Sequence, residues 1–265
     1  MEKSKIMVVG SLNMDLTATT HIFPSEGETV LGDKLSSAPG GKGLNQACQL
    51  GLLGAEIKMV GAIGNDTNGE SLLSALKDAN VNSSGVIIKN NVSTGSAVIL
   101  LEIDDAGNGA NRIIVIPGAN KTFSYDDIAF IESEIKQYDI VMLQLEIDMD
   151  VNEKVASLAH KNGVKVMLNP APYAPLSDKL LKNIDFLSPN EHELYAMTNI
   201  DVHDDRGQID ANRIKLAYDV LAKKGLKSLL ITLGDKGSYY IDENNSIYVP
   251  AIPTIAIDTT AAGDS

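Results

Sequence analysis

The chain has 265 residues, 44% of them hydrophobic, and a formal net charge of −13. That length and composition allow a sizeable buried core, while the acidic balance argues against nucleic acid and anionic membrane surfaces, which call for basic patches. The single cysteine, Cys48, excludes a disulfide within the chain, and Met1–Lys5 runs straight into an apolar stretch too short for a secretory or membrane segment, so a cytoplasmic protein is expected.

The first strand is Ile6-Met7-Val8-Val9, followed at once by Gly10-Ser11-Leu12-Asn13-Met14-Asp15. Asn13 and Asp15 are two residues apart and share a face if the segment is extended. An amide beside a carboxylate can chelate neighbouring hydroxyls, and an Asx-rich turn is the plainer alternative. Residues Asp15–Lys34 carry Thr and Val runs broken by Pro24 and Gly27, with no helical period. Pro39-Gly40-Gly41-Lys42-Gly43-Leu44-Asn45-Gln46-Ala47 then opens a helix running to about Leu53. Its glycines let backbone approach a ligand, and a helix N-terminus welcomes electron-rich groups. Lys42 is followed by Gly43 rather than Ser or Thr, so this is not a Walker A loop, nor is it a dinucleotide GxGxxG. Cys48 on this helix reads as a small buried hydrophobe.

From Ile57 onward, apolar runs alternate with helical periods. Ile57–Gly61, Asp139–Leu145, Val164–Leu168, Asp185–Leu187 and Ser228–Thr232 read as strands. Asn68–Ala79, Tyr125–Lys136, Val151–Asn162, Glu191–Thr198 and Asp210–Lys224 read as helices. Ser124 and Asp127 have capping-box spacing, and Gly163 and Gly225 stand where a glycine ends a helix. This alternation predicts an α/β fold with a parallel sheet covered on both faces. Ser96–Ile103 and Arg112–Ile116 interrupt it. They flank the turn-rich Asp104–Gly109 and predict a β-hairpin, either a lid or an edge decoration. No repeat or linker divides residues 1–265, which read as one domain.

Polar residues recur after the strands: Glu146, Asn169, Asn190 and Thr232. Each alone is an ordinary strand-end group, but together they line the edge where open parallel sheets bind ligands. The last motif, Asp258-Thr259-Thr260-Ala261-Ala262-Gly263-Asp264, follows the strand-like Ile252–Ile257. Small residues leading into an aspartate suit either an ordinary N-cap or a helix start whose N–H groups form an anion hole for phosphoryl transfer. His21, His160, His192 and His203 have no metal-ligand spacing, and no GxSxG elbow is present.

These motifs resemble the ribokinase-like carbohydrate kinase family along nearly the whole chain. The resemblance rests on Gly10–Asp15, Gly40–Ala47, Ile116-Pro117-Gly118-Ala119-Asn120, Gln144-Leu145-Glu146, Asn169-Pro170-Ala171-Pro172, Asn190-Glu191-His192-Glu193, Thr232–Gly237 and Asp258–Asp264. It implies a three-layer α/β/α sandwich with a small β-sheet lid from about 15–34 and 96–116, which also clasps a homodimer. It implies ATP-dependent phosphorylation of D-ribose at the 5-hydroxyl, giving ribose 5-phosphate and ADP, with Mg²⁺ as cofactor and K⁺ as activator. Asn13, Met14, Asp15, Gly41, Lys42, Gly43, Leu44, Asn45 and Glu146 would surround the sugar, with Asp264 as catalytic base and Ala261, Ala262 and Gly263 as anion hole. Asn190, Thr232, Leu233, Gly234, Asp235, Lys236, Gly237, Gly263 and Asp264 would meet the nucleotide. Glu193 would hold Mg²⁺ through water, and Asp258 and Thr260 the potassium. Two departures stand out: Leu44 replaces a usual alanine, and family members continue beyond Asp264 with the helix it begins, so a longer natural protein is expected. The alternatives are another sugar or nucleoside kinase of the family, and a sugar-binding module without catalysis.

Overall fold

The computed structural model describes residues 3–103, 109–253 and 263. In chain order the strands are β1 (Lys5–Val9), β2 (Asn13–Thr20), β3 (Lys34–Gly40), β4 (Glu56–Gly64), β5 (Asn82–Lys89), β6 (Gly95–Ile103), β7 (Gly109–Ile116), β8 (Ile140–Leu143), β9 (Lys165–Leu168), β10 (Phe186–Leu187), β11 (Ser228–Thr232), β12 (Ser238–Ile241) and β13 (Ser246–Val249). The helices are α1 (Lys42–Leu52), α2 (Thr67–Asp78), α3 (Ala119–Thr122), α4 (Ile131–Glu134), α5 (Met149–Lys161), α6 (Asp178–Lys182), α7 (Glu191–Thr198) and α8 (Ala211–Ala222).

Two sheets result. The larger runs β13-β12-β11-β10-β9-β8-β1-β4-β5 and is parallel from β11 to β5, with β12 and β13 added antiparallel. β1 shows why a continuous apolar run suits its centre. Met7 and Val9 enter one buried cluster with α5 and α8, while Ile6 and Val8 enter a second with α1 and α2. Alternate residues face opposite sides, so a strand buried on both faces needs every position apolar. α2 uses the helical period instead: Leu72 and Leu76 are buried, and Asp66 caps its start by accepting from Gly69 N–H at 2.8 Å.

The covering is less even than the strand pattern predicts. Between β8 and β11, one face packs Val141, Leu143, Val166, Leu168, Leu187, Leu229 and Ile231 into the first cluster. On the other face Met142, Met167, Phe186 and Leu230 are only half-buried by the described residues.

The smaller sheet, β3-β2-β6-β7, stands apart from this succession. β6 and β7 form the expected antiparallel hairpin, while β2 lies parallel to β6 and antiparallel to β3. β3 has no counterpart in the sequence reading. It is a mostly exposed edge strand, which is where Pro39 can be accommodated without breaking a ladder bond. Ile113, Ile114, Val115 and Ile116 on β7 are exposed by 48–62%.

Two other expectations need correction. Tyr125–Lys136 is not one helix but a 3₁₀ turn, the single-turn α4 and a second 3₁₀ turn. Ile128, Ile131 and Ile135 are buried with helical spacing, and Asp127 accepts from Ser124 N–H and its hydroxyl, but no side chain caps the start of any of the three short segments. In the stretch Ile252–Ile257, residues 252 and 253 are not strand, and the rest lies outside the described residues. Gly163 and Gly225 do end their helices at positive φ, 74° and 110°.

Candidate active site

The carboxyl edge of the large sheet gathers the polar residues that the sequence places after its strands. β1 leads through Gly10-Ser11-Leu12 into β2, so the chain leaves the large sheet and enters the small one within three residues. α1 starts against that turn. Gly41 precedes it with φ 89°, a conformation that disfavours any side chain, and a Cβ there would lie 2.8 Å from Asn13 N. Gly43 is pressed as closely, since its Cβ would stand 2.7 Å from Ser11 N. Leu44 N–H donates to Ser11 O at 3.0 Å, and its side chain is buried with Leu12 and Met14 in the second apolar cluster.

Gly41 brings no capping side chain to α1, and Glu146 supplies the missing acceptor from beyond β8. Its Oε2 takes Lys42 N–H at 3.1 Å and the Ser11 hydroxyl at 2.5 Å. A carboxylate at a helix start meets both an orphan N–H and the positive end of the helix dipole. Its other oxygen, Oε1, accepts no hydrogen bond from any described residue. Asn13 and Asp15 both lie on β2, at the spacing that shares a face. Asn13 is 3% exposed. The Asp15 carboxylate lies over Gly40 of β3, where a Cβ would come within 2.3 Å of Oδ2. Asn45 follows one turn along α1, its N–H bonded to Gly41 O at 2.9 Å.

A cleft of about 270 Å³ opens here, with Asn13, Asn120, Glu146, Asp148 and Pro172 among its lining residues. Leu145 N–H donates to Ala171 O at 3.0 Å, which ties the Asn169–Pro172 turn beside Glu146. Asn169 in turn brings Gly263 to this edge, its Nδ2 lying 3.4 Å from Gly263 O. The final motif therefore returns to the sheet edge at the one residue of it that the structure describes. Asp258, Thr260, Ala261, Ala262 and Asp264 lie outside the described residues.

Further along the edge, Asn190 caps α7 in a reciprocal box with Glu193. Asn190 Oδ1 accepts from Glu193 N–H at 2.8 Å, and Glu193 Oε2 accepts from Asn190 N–H at 2.9 Å. Asn190 also bridges to Thr232 at the end of β11, and Thr232 N–H donates to Pro189 O at 3.0 Å. The Leu233–Gly237 turn follows, closed by Leu233 N–H on Gly237 O at 2.8 Å. Asp235 and Lys236 sit in its 3₁₀ segment, while Leu233 is buried. Lys236 Nζ donates to Gly207 O at 3.3 Å, and both line a cavity of about 520 Å³ together with Tyr239 and Tyr248. Among the described residues no three His, Cys, Asp or Glu side chains converge as a metal site. Burial raises the Cys48 thiol above its ordinary pKa, as suits a packing residue rather than a nucleophile.

Several site residues escaped the sequence reading. Ser11 joins Glu146 to α1, yet its only sequence signal is a place within the first motif. Asn120 is 1% exposed and bonds to Leu12 and Asn13, more than a hundred residues away. Gln144 and Gln46 form a buried amide pair at 2.6 Å that joins β8 to α1.

The sequence model of the pfkB family of carbohydrate kinases matches residues 3–265. The chain is 39% identical over 272 residues to a ribokinase of Schizosaccharomyces pombe, the match covering 98% of this chain and 82% of that protein. It is 35% identical over 263 residues to a ribokinase of Haemophilus influenzae, covering 99% and 83%. The solved structure of Arabidopsis thaliana ribokinase complexed with ribose and ATP superposes with a TM-score of 0.86 at 34% identity, covering 99% of this chain and 83% of that one.

Proposed function

Because the chain belongs to the pfkB family of carbohydrate kinases, we propose that it transfers the γ-phosphoryl group of ATP to the 5-hydroxyl of D-ribose, giving ribose 5-phosphate and ADP. The observation that carries this reading is that Asn13 and Glu146 line one cleft, with Glu146 bonded to the Lys42 end of α1, Asp15 two residues beyond Asn13 on β2, and Gly263 tied to the same edge. Sugar hydroxyls both donate and accept, so their recognition needs carboxylate acceptors and amide donors side by side. Asp15 and Glu146 bring the acceptors; Asn13 and Asn45 bring amides. Gly41, Lys42 and Gly43 present backbone, while Met14 and Leu44 pack behind the sugar-facing residues.

In the proposed reaction, Asp264 takes the proton of the attacking hydroxyl. The N–H groups of Ala261, Ala262 and Gly263 receive the charge that develops on the transferred group. Asn190 and the Thr232–Gly237 turn (Thr232, Leu233, Gly234, Asp235, Lys236, Gly237) line the nucleotide's side of the edge. Glu193 spends one oxygen on the α7 cap and has the other for a water of hydrated Mg²⁺, a hard ion that accepts such an arrangement. When bound with ATP, Mg²⁺ neutralises phosphate charge. K⁺ as activator is assigned to Asp258 and Thr260.

Residues 1–265 act as one kinase domain, with the smaller sheet as its lid. The half-exposed Ile113–Ile116 strip suits pairing with the lid of a second copy, so the working form is a homodimer. With one cysteine and no described helix long and apolar enough to cross a membrane, we place the protein in the cytoplasm. ADP release measured across pentoses, hexoses and nucleosides tests the reading. D-ribose should give the highest kcat/KM, and preference for a nucleoside or a hexose would replace it.

A further inference from the structure

We propose that Asn120 is a positioning residue that fixes the amide of Asn13 as a hydrogen-bond donor toward the sugar. The inference rests on the sugar-binding role given to Asn13 above, and it adds the polarity of that contact and the group that sets it.

Backbone groups decide the polarity. Leu12 N–H can only donate, so the Asn120 atom 3.0 Å from it is the oxygen Oδ1. Nδ2 of the same amide then lies 3.1 Å from Leu12 O, which can only accept, so both contacts agree on one orientation. That Nδ2 also stands 2.8 Å from Asn13, and the atom it meets there is therefore the acceptor Oδ1. With its oxygen committed to Asn120, Asn13 has its NH₂ group to offer to the cleft it lines. Asp15, two residues on, can only accept when ionised. The pair presents a donor followed by an acceptor, and a hydroxyl that receives from Asn13 can donate onward to Asp15.

The surroundings hold this arrangement in place. Asn120 and Asn13 are 1% and 3% exposed, so water does not compete effectively for the bond. Gly95 is the register partner of Asn13 on β6. A Cβ on Gly95 would lie 2.2 Å from Asn13 Oδ1 and 2.3 Å from Asn120 Nδ2, directly on the bond between them. Gly118 turns the chain at φ 50° just before α3, and Ala119 N–H anchors to Ser93 O at 2.9 Å, delivering Asn120 beneath β2.

The test uses calorimetric titration with D-ribose together with thermal unfolding. Asn13→Asp keeps an oxygen for Asn120 but replaces the donor with a second acceptor. It should weaken ribose binding by about tenfold or more, and the unfolding midpoint should fall as well, because a carboxylate is buried two residues from Asp15. Ribose binding within about twofold of wild type would overturn the donor assignment. Asn120→Ala should weaken ribose binding about three- to tenfold in the Asn13 background and have no further effect in the Asn13→Ala background. A merely structural Asn120 lowers the midpoint equally in both backgrounds and weakens binding additively, which would refute the proposal. Should Asn120→Ala not fold, Asn120→Asp in the same cycle keeps the Leu12 N–H contact and removes the Nδ2 donor that serves both Asn13 Oδ1 and Leu12 O. Wild-type protein that binds no ribose would sink the kinase reading itself, whereas ribose binding with an additive cycle sinks only this inference.

Discussion

Replacing Glu146 by glutamine separates its two duties. Both described bonds, from Ser11 Oγ and Lys42 N–H, fall on Oε2. Lys42 N–H can only donate, so the glutamine must turn its oxygen toward α1 and its NH₂ toward the place of Oε1 in the cleft. The clamp on α1 survives without its charge. Neutral bonds are weaker than charge-assisted ones by about 1 kcal/mol, and the helix-start dipole term is ~0.3–1 kcal/mol. Stability should therefore fall by about 1–2 kcal/mol, which for a chain of this size lowers the midpoint by roughly 2–8 °C. The sugar suffers separately, because a hydroxyl that donated to a carboxylate now meets a neutral donor. A loss of ~1–2 kcal/mol there raises the sugar KM about five- to thirtyfold. KM for ATP should stay within about twofold, since Glu146 is given no role in holding the nucleotide. The assay is steady-state ADP release with each substrate varied in turn. An unchanged sugar KM alongside the lowered midpoint would refute the reasoning and leave Glu146 as a helix clamp alone.

Gly41→Ala forces a side chain into φ 89° and against Asn13 N. Backbone strain of ~1–3 kcal/mol should appear in chemical unfolding, with the sugar KM raised at least as much as that for ATP; a stability within about 0.5 kcal/mol of wild type would contradict the geometry. Burial pushes the Asp185 carboxyl up, but Lys227 at 2.8 Å, Val166 N–H at 3.0 Å and Lys165 at 3.1 Å outweigh it and hold its pKa below the usual carboxylate value. Its contribution is thus complete above the unfolded value of about 3.9 and is lost as pH falls through the lower folded value. Asp185→Asn should destabilise by about 1–3 kcal/mol at pH 7 and flatten the acid limb of the stability curve; an unaltered acid limb would disprove the assignment. Light scattering should give twice the 28.2 kDa chain mass, and Ile114→Lys in the exposed strip should return it to one. A wild-type monomer at high concentration contradicts the lid pairing.

Much of this architecture is legible because local and global preferences agree. The β1 strand is apolar at successive positions and is buried on both faces; Glu191–Thr198 is delimited as read, with its Asn190/Glu193 box formed. β3 was hidden because its sequence, Lys-Leu-Ser-Ser-Ala-Pro-Gly, has neither alternation nor bulk, and only its ladder to β2 makes it a strand. β12 and β13 were missed likewise, as an antiparallel hairpin closing a series of parallel strands. At the sheet edge, the positions of Asn13, Asp15 and Glu146 are legible because strand ends and two-residue spacing set them. Asn120 stands out only as part of the Ile116–Asn120 motif; its bonds reach backbone and an amide 107–108 residues away, a pairing no local pattern encodes.

The most direct test of the central claim is the phosphorus NMR spectrum of the product formed from ATP, Mg²⁺ and D-ribose. Phosphate on the 5-oxygen is attached through a carbon bearing two hydrogens, so the proton-coupled signal of the sugar phosphate should be a triplet, matched mole for mole by ADP. A doublet would mean transfer to a hydroxyl on a carbon bearing one hydrogen. ADP without a new sugar phosphate would mean hydrolysis, and either result contradicts the account.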